Sequence, residues 1–303
     1  MSKIKGSLVP NITFFNSDNT IDFDKCKWHM DWMFKNGIHG LFITGSYGSG
    51  PLMTNKERIQ IYQAAKEVQK NHSGTYLMAH VGCADTESTV ELAKAAEKEG
   101  MEAVGAVPPF YYSYEEPKVI AFYKAIVDAV NIPVYAYNNP FTTKTTMTLK
   151  TVKQLQEIGV KGVKDSSMNV AFITNVFYDA KINNKDFQTI IGTSTGWLPF
   201  YQMGIDTMIA GMGNYAPEII TAMYDHTING SLEKAEKVYR IMMDYSGKVK
   251  FTDSTIASHI VLKARGFECG SPRLPMSLPS FDDPVYESLS KQTKEALDAA
   301  LSI

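Results

Sequence analysis

The sequence has few cysteines and little net charge, and both shortages argue against whole classes of protein. Its three cysteines, Cys26, Cys83 and Cys269, are far apart, and no pair has the CxxC spacing. This spacing argues against a disulfide framework or a zinc site and favours buried, reduced thiols. Lys and Arg number 30 against 32 Asp and Glu, a net charge of −2 at pH 7. Such a chain has no electrostatic basis for binding nucleic acid.

Long apolar runs are also lacking. No uncharged stretch approaches the roughly 18 residues that a membrane-spanning helix needs. Residues 1–5 lead directly into a strand-like segment, without the apolar stretch of a signal peptide. We therefore predict a cytoplasmic protein with no membrane partner.

What the sequence does contain is a regular alternation of short β-type apolar runs with helical patterns. Eight such pairs in order predict an α/β fold, a closed (β/α)₈ TIM barrel. The predicted strands are 6–15, 40–45, 76–81, 103–107, 133–137, 160–164, 189–192 and 207–211. Examples of predicted helices are 55–70, 86–99, 116–130 and 149–157.

Three more helical patterns follow the eighth pair, at 232–248, 252–265 and 283–301. We interpret them as additional C-terminal helices rather than as an independent domain. The predicted organisation is a barrel over residues 1–229 and a helical extension over residues 230–303, packed on the barrel.

Active sites of this fold lie where the strands end, and the sixth predicted strand ends in a lysine. Period-two alternation places Gly162, Lys164 and Ser166 on one face of this segment. An ammonium inside a barrel is unfavourable unless its pKa falls, and a neutral amine is what Schiff-base catalysis requires. The competing interpretation is a lysine that only marks the solvated end of the strand.

The fifth predicted strand ends in the run YAYNNP, residues 135–140. Tyr135 and Tyr137 share a face, so Tyr137 can project into the barrel mouth one strand away from Lys164. A phenol there could relay protons during the making or breaking of a C–C bond. The alternative is an aromatic side chain that only packs.

Two polar loops follow other predicted strands. Residues 44–50, TGSYGSG, lack the dinucleotide GxGxxG spacing, but their glycines allow a nest of backbone N–H groups to which Ser46 adds a hydroxyl. A carboxylate is the expected ligand of such a nest, although a plain glycine turn would have the same composition. Residues 192–196, GTSTG, offer the hydroxyls of Thr193 and Ser194 to a polyhydroxylated substrate.

The loop after the fourth strand, residues 110–114, reads FYYSY. Such a density of aromatic residues is unusual for a solvent-exposed loop and favours a subunit contact, a pocket wall or both.

Together these motifs resemble the N-acetylneuraminate lyase and dihydrodipicolinate synthase superfamily over nearly the whole chain. In that family the barrel forms a tetramer, the strand-six lysine forms an imine with pyruvate, and the strand-five tyrosine relays protons. The resemblance assigns these two roles to Lys164 and Tyr137 and places Ser46 and Tyr47 at the carboxylate loop. Tyr112 matches the tyrosine that completes the relay across a subunit contact. The predicted substrate-binding residues are Ser46, Tyr47, Gly48, Thr142, Ser166, Thr193, Ser194 and Ile209.

The departures from the family pattern favour one branch over others. The glycine loop of the family usually reads G[ST]TGE, but here Tyr47 and Ser49 replace the second hydroxyl residue and the glutamate. The synthase branch has an arginine shortly after YNxP, where this chain has Thr142. Sialic acid lyases have an Asp-Glu pair after strand seven, where this chain has Ser194 and Thr195. Residues 78–83 and 109–112 nevertheless look closest to sialic acid lyases, whereas several other segments, among them 163–166 and 192–195, resemble 2-keto-3-deoxygluconate aldolases, the branch that we favour.

The sequence therefore predicts a class I aldolase, a carbon–carbon lyase that acts on a 2-oxo acid (pyruvate) and a neutral aldehyde. We expect a homotetramer that needs no cofactor and no metal. The alternatives are N-acetylneuraminate lyase, a dehydratase or hydratase–aldolase with the same imine, dihydrodipicolinate synthase, and a catalytically silent relative that binds pyruvate.

Overall fold

The computed structural model describes residues 3–183, 185–249, 253–280 and 282–303. Within them, eight parallel strands close into a barrel in which each strand pairs with the next and the last pairs with the first. The strands are β1 Gly6–Val9, β2 Gly40–Ile43, β3 Tyr76–His80, β4 Ala103–Ala106, β5 Val134–Asn138, β6 Gly162–Asp165, β7 Gln188–Ile191 and β8 Thr207–Ile209. The predicted (β/α)₈ barrel is confirmed.

Helices connect the strands and surround the barrel, and others follow β8. They are α1 Phe23–Lys35, α2 Asn55–Gln69, α3 Thr86–Lys98, α4 Glu116–Ala129, α5 Pro140–Thr143, α6 Leu149–Glu157, α7 Val170–Ile182, α8 Trp197–Met203, α9 Pro217–Ile228, α10 Leu232–Lys248, α11 Ser254–Ala264 and α12 Asp283–Leu301. Helices α6, α10 and α12 have the predicted bounds. Thr252, the predicted start of α11, lies outside the described residues, and Asp253 caps the helix through the N–H groups of Thr255 and Ile256.

The first predicted strand, 6–15, is too long. Pro10 has no N–H to donate to a strand ladder, and the chain leaves the barrel there. Phe15 instead forms antiparallel bridges with Ile21 and Ser271. The segment after β1 thus ties the barrel to the stretch that precedes α12.

Alternate side chains of the strands fill the barrel interior, while the side chains between them pack against the helices. In β6, Val163 belongs to the outer core and Lys164 points inward. Gly162 lies below Lys164, where a Cβ atom would come within 2.5 Å of the Tyr135 ring. The interior apolar cluster includes Leu8, Phe42, Met78, Ala103, Tyr135, Tyr137, Ile190 and Ile209.

A polar network closes the end of the barrel opposite the mouth. The Tyr135 hydroxyl donates to Oε1 of Gln188 at 2.8 Å, and Nε2 of Gln188 donates to the carbonyl of Ile4 at 2.6 Å. The same carbonyl accepts a hydrogen bond from the Thr207 hydroxyl at 3.0 Å. These hydrogen bonds join β5, β7 and β8 to the segment before β1 at the base of the barrel.

The C-terminal helices reach this open side. Helix α10 packs against α9 and α12, and its Tyr239 donates to the carbonyl of Thr195 at 2.6 Å in the loop after β7. The division into residues 1–229 and 230–303 stays a prediction. No helix within the described ranges is long and apolar enough to cross a membrane.

Candidate active site

Lys164 lies at the end of β6, inside the barrel and only 4 % exposed. Its neighbour in the β5–β6 register is Tyr137. The lysine Nζ lies 3.7 Å from the centroid of the Tyr137 ring and 4.4 Å from that of Phe42. Burial lowers the pKa of the Lys164 ammonium below the usual range for lysine, because water no longer solvates the charge. The site thus favours the neutral, nucleophilic amine.

The Tyr137 hydroxyl is held by two neighbouring polar side chains. Nδ2 of Asn139 donates to it at 3.2 Å, and the Ser166 hydroxyl donates to it at 3.4 Å. Burial raises the pKa of this phenol, but the charge of Lys164 and these hydrogen bonds outweigh burial and hold the pKa below its usual range. A phenol in this environment can accept and return a proton beside the lysine.

A second pair, on the opposite faces of the same two strands, fixes the alignment of β5 and β6. Asn138 and Asp165 are neighbours in the register, and Nδ2 of Asn138 donates to the Asp165 carboxylate at 2.6 Å. The backbone N–H and the hydroxyl of Ser167 donate to the same carboxylate. Because this contact aligns the strand ends, it also aligns Tyr137 with Lys164.

Two glycines leave room for the polar groups at the mouth. A Cβ atom at Gly192 would overlap the Ser166 hydroxyl, and one at Gly50 would overlap the carbonyl of Thr44. The glycine loop also holds Thr44 and Ser49 at positive φ, 54° and 57°. This conformation is unfavourable for residues with a Cβ atom, and its presence here is typical of a functional loop.

These groups line one cavity of about 370 Å³. Its wall includes eight of the predicted site residues: Ser46, Tyr47, Tyr137, Lys164, Ser166, Thr193, Ser194 and Ile209. Thr195 is also in the wall, where its hydroxyl lies 2.9 Å from that of Thr193. Within the described residues, Lys164 is the one charged side chain of this wall.

Three predicted site residues lie outside the wall. Gly48 is a buried residue of the glycine loop, and its carbonyl accepts a hydrogen bond from the Thr13 hydroxyl at 2.8 Å. Thr142 turns back to the carbonyl of Asn139, while the preceding residue, Phe141, lines the cavity. Tyr112 is 66 % exposed on the surface loop after β4.

Sequence reasoning missed other residues of the site. Asn139 could have been found, because it shares the alternating face of Tyr135 and Tyr137. The part of the wall formed by Ser246 and Ser254 could not have been found from the sequence, because α10 and α11 reach the mouth only through tertiary packing. His80 lies behind the site, buried, with its ring 6.1 Å from that of Tyr137.

A buried lysine beside a tyrosine at the mouth of a (β/α)₈ barrel defines a lyase of the aldolase type. The chain belongs to the dihydrodipicolinate synthetase family, whose model matches residues 3–298.

Known proteins of this kind resemble the chain over nearly its full length. A DapA-like lyase of Halobacterium salinarum is 28% identical over 281 residues, which cover 92% of this chain and 90% of the relative. YagE of E. coli K12, solved in complex with pyruvate, superposes with a TM-score of 0.89 at 22% identity, covering 97% and 99% of the two chains. A variant of the 2-keto-3-deoxygluconate aldolase of Sulfolobus solfataricus superposes with a TM-score of 0.85 at 24% identity, covering 98% and 97%.

The lowered pKa of Lys164 predicts how the amine reacts as the pH changes. Because its pKa is lowered, Lys164 loses its proton at a lower pH than an ordinary lysine does. Carbamylation of the neutral Lys164 amine by cyanate should therefore reach half its maximal rate below pH 10.4, about the ordinary lysine pKa. In Tyr137→Phe the inflection should move further down, because the phenol interaction that raises the lysine pKa is removed. Peptide mass spectrometry from pH 6 to 11 measures both rates. An inflection at or above about 10.4 in the wild type would contradict the assignment.

Proposed function

We propose that this chain is a pyruvate-dependent class I aldolase that cleaves or forms a 2-keto-3-deoxy sugar acid, with a neutral aldehyde as the second partner. The observation that carries the proposal is the buried Lys164 amine, whose Nζ lies 3.7 Å from the Tyr137 ring centroid. Among the described residues, the rest of the cavity wall is uncharged.

In the cleavage direction, the neutral Lys164 amine adds to C2 of the 2-oxo acid, and loss of water gives an iminium ion. The hydroxyl on C4 gives its proton to the Tyr137 oxygen. The C3–C4 bond then breaks, its electron pair moves toward the iminium nitrogen, and the aldehyde leaves. Protonation of C3 and addition of water to C2 release pyruvate and restore Lys164.

Tyr137 is suited to this transfer because Asn139 and Ser166 hold its hydroxyl in place. A lowered phenol pKa allows Tyr137 to exist as the base that receives the C4 hydroxyl proton and then as the acid that returns it. Borrowing and returning the same proton leaves the enzyme unchanged after each turnover.

The chemistry of the wall supports a neutral, hydroxylated aldehyde. Thr193, Ser194 and Thr195 line the cavity with hydroxyl-bearing side chains, and the described wall holds no cation besides Lys164 for a second carboxylate or a phosphate. Lys144 could have supplied one, but its Nζ lies 3.4 Å from the carbonyl of Tyr111 on the exterior. An unpaired charge buried here would be unfavourable by several kcal/mol.

Covalent trapping tests the mechanism. Borohydride reduction in the presence of pyruvate should add a stable adduct to Lys164 and abolish activity, and Lys164→Met should give no adduct. Tyr137→Phe should still form the adduct but should cleave substrate about 100- to 10,000-fold more slowly, the usual contribution of a general acid–base group.

Peptide mass spectrometry locates the adduct, and Lys161→Met is the matched control, since Lys161 is exposed near the start of the same strand. An unmodified Lys164 in an active, borohydride-treated wild type would exclude the covalent mechanism. Product analysis separates the competing reactions: a dehydratase releases water without cleavage, and a silent pyruvate-binding protein releases no pyruvate.

Acceptor choice tests the substrate class. With pyruvate, glyceraldehyde should be condensed with a kcat/KM about 100-fold or more above that of aspartate semialdehyde, because the latter brings an unpaired carboxylate into the cavity. Coupled assays that include a phosphorylated aldehyde and N-acetylneuraminate cleavage complete the comparison. A preference for either charged aldehyde would show that the wall has been misinterpreted.

We also propose a homotetramer built from tight dimers that bring Tyr112 near a neighbouring subunit's site. The support is an exposed aromatic patch beside the mouth, with Tyr111 74 %, Tyr112 66 % and Phe141 79 % exposed. Isolated exposed apolar residues are common, but contiguous aromatic groups are typical of a contact surface.

Tyr112→Ser should shift sedimentation toward smaller species and lower kcat. The substitution removes an aromatic contact between subunits and, with it, the phenol that is proposed to complete the proton relay. Leu301→Ser, which alters a similarly exposed apolar residue (62 %) on α12, should change neither. A wild type that sediments as a fully active monomer at assay concentration would contradict the coupling between assembly and activity.

A further inference from the structure

Tyr47 follows β2, but its side chain reaches the end of β8. Strand β1 lies between β2 and β8 in the barrel, since it pairs with both. A Cβ atom added at Gly211, two residues after β8, would overlap the hydroxyl and the Cζ atom of Tyr47. The phenol therefore crosses the end of β1 and rests on the backbone of Gly211.

Contacts at both ends hold Tyr47 in this position. The Ser254 side chain, at the start of α11, is a hydrogen-bond partner of the Tyr47 hydroxyl. The Thr255 hydroxyl donates to the Tyr47 carbonyl at 3.4 Å. Burial raises the pKa of this phenol, so it stays neutral at ordinary pH. A fixed, neutral ring is part of the cavity wall and is not a flexible surface side chain.

The position of this ring relative to Lys164 decides what it can touch. The strand order puts the end of β8, where the ring rests, two strands from β6 and its lysine, and the Tyr47 hydroxyl is close enough to Tyr137 for the two phenols to interact electrostatically. The wall of the same cavity also includes Ser246 and Ala257 of α10 and α11. A substrate attached to Lys164 through C2 shares this cavity with the ring, so the ring occupies room into which a longer chain would extend.

We propose that Tyr47 is a specificity-determining residue, whose phenol limits the length of the aldehyde part of the substrate. The inference rests on the proposed aldolase function and names a feature of its acceptor: short hydroxyaldehydes fit in front of the ring, and longer ones collide with it. The carboxylate of pyruvate is assigned to the loop backbone, so the side chain is free for this second role.

The experiment compares one ratio across matched variants, kcat/KM with mannose (six carbons) divided by kcat/KM with glyceraldehyde (three carbons), both with pyruvate. A ratio cancels any change in pyruvate binding that affects both aldehydes equally. Tyr47→Ser removes the ring and should raise the ratio about tenfold or more, in line with the discrimination that a filled pocket provides. Tyr47→Phe keeps the ring and loses only the hydroxyl. Because the ring is what limits chain length, the ratio should stay within about twofold of the wild type.

Gly211→Ala is the second, independent variant, because its methyl group displaces the phenol toward the cavity. It should lower the ratio, opposite to Tyr47→Ser. Tyr178→Phe on α7, whose side chain lies outside the cavity wall, controls for loss of a tyrosine hydroxyl elsewhere. Circular dichroism and thermal unfolding establish that each variant is folded.

The outcomes separate this inference from the function on which it rests. If the wild type condenses both aldehydes through Lys164 and the ratio in Tyr47→Ser and Gly211→Ala stays within twofold of the wild type, length control by Tyr47 is wrong and the aldolase function stands. If borohydride traps no pyruvate on wild-type Lys164, both proposals are overturned. Opposite shifts in the two variants support length control by the ring.

Discussion

The site depends on one unfavourable arrangement, an amine taken out of water and placed against two aromatic rings. The ring centroids of Tyr137 and Phe42 lie 3.7 Å and 4.4 Å from the Lys164 Nζ, and burial lowers the pKa of this amine below the usual range for lysine. The barrel tolerates this because the strand alignment is fixed elsewhere, by the Asn138–Asp165 contact on the outer face. The folding free energy of the closed barrel thus maintains an amine that holds its proton less tightly than it would in an unfolded chain.

Much of this could be predicted from the sequence, because the patterns involved are local. Alternation along β5 and β6 is enough to place Tyr137 and Lys164 on the interior face, and the order of eight strands brings their ends together. The glycine loop and the hydroxyl run after β7 are each contiguous in the chain. Their presence in one cavity follows from the fold, without any knowledge of individual contacts.

What could not be predicted depends on side-chain direction and on distant packing. Alternation does not show that Thr142 turns back to Asn139 while Phe141 faces the cavity, since a short helix begins at Pro140. Nor does it show that Tyr47 crosses β1, because that path exists only where Gly211 leaves room. The first strand was predicted too long because apolar residues continue past Pro10 into a segment that pairs with Ser271.

The polar closure at the base of the barrel has a consequence for the order of folding. The carbonyl of Ile4 receives hydrogen bonds from Gln188 and Thr207, partners that lie 184 and 203 residues further along the chain. Contacts of such sequence separation form slowly, and the one with Thr207 cannot form on a ribosome before β8 has emerged. Until then the barrel is not closed, and Lys164 is not held in its buried position beside Tyr137. A nascent chain that already contains every catalytic side chain would therefore remain inactive until its first and last strands meet.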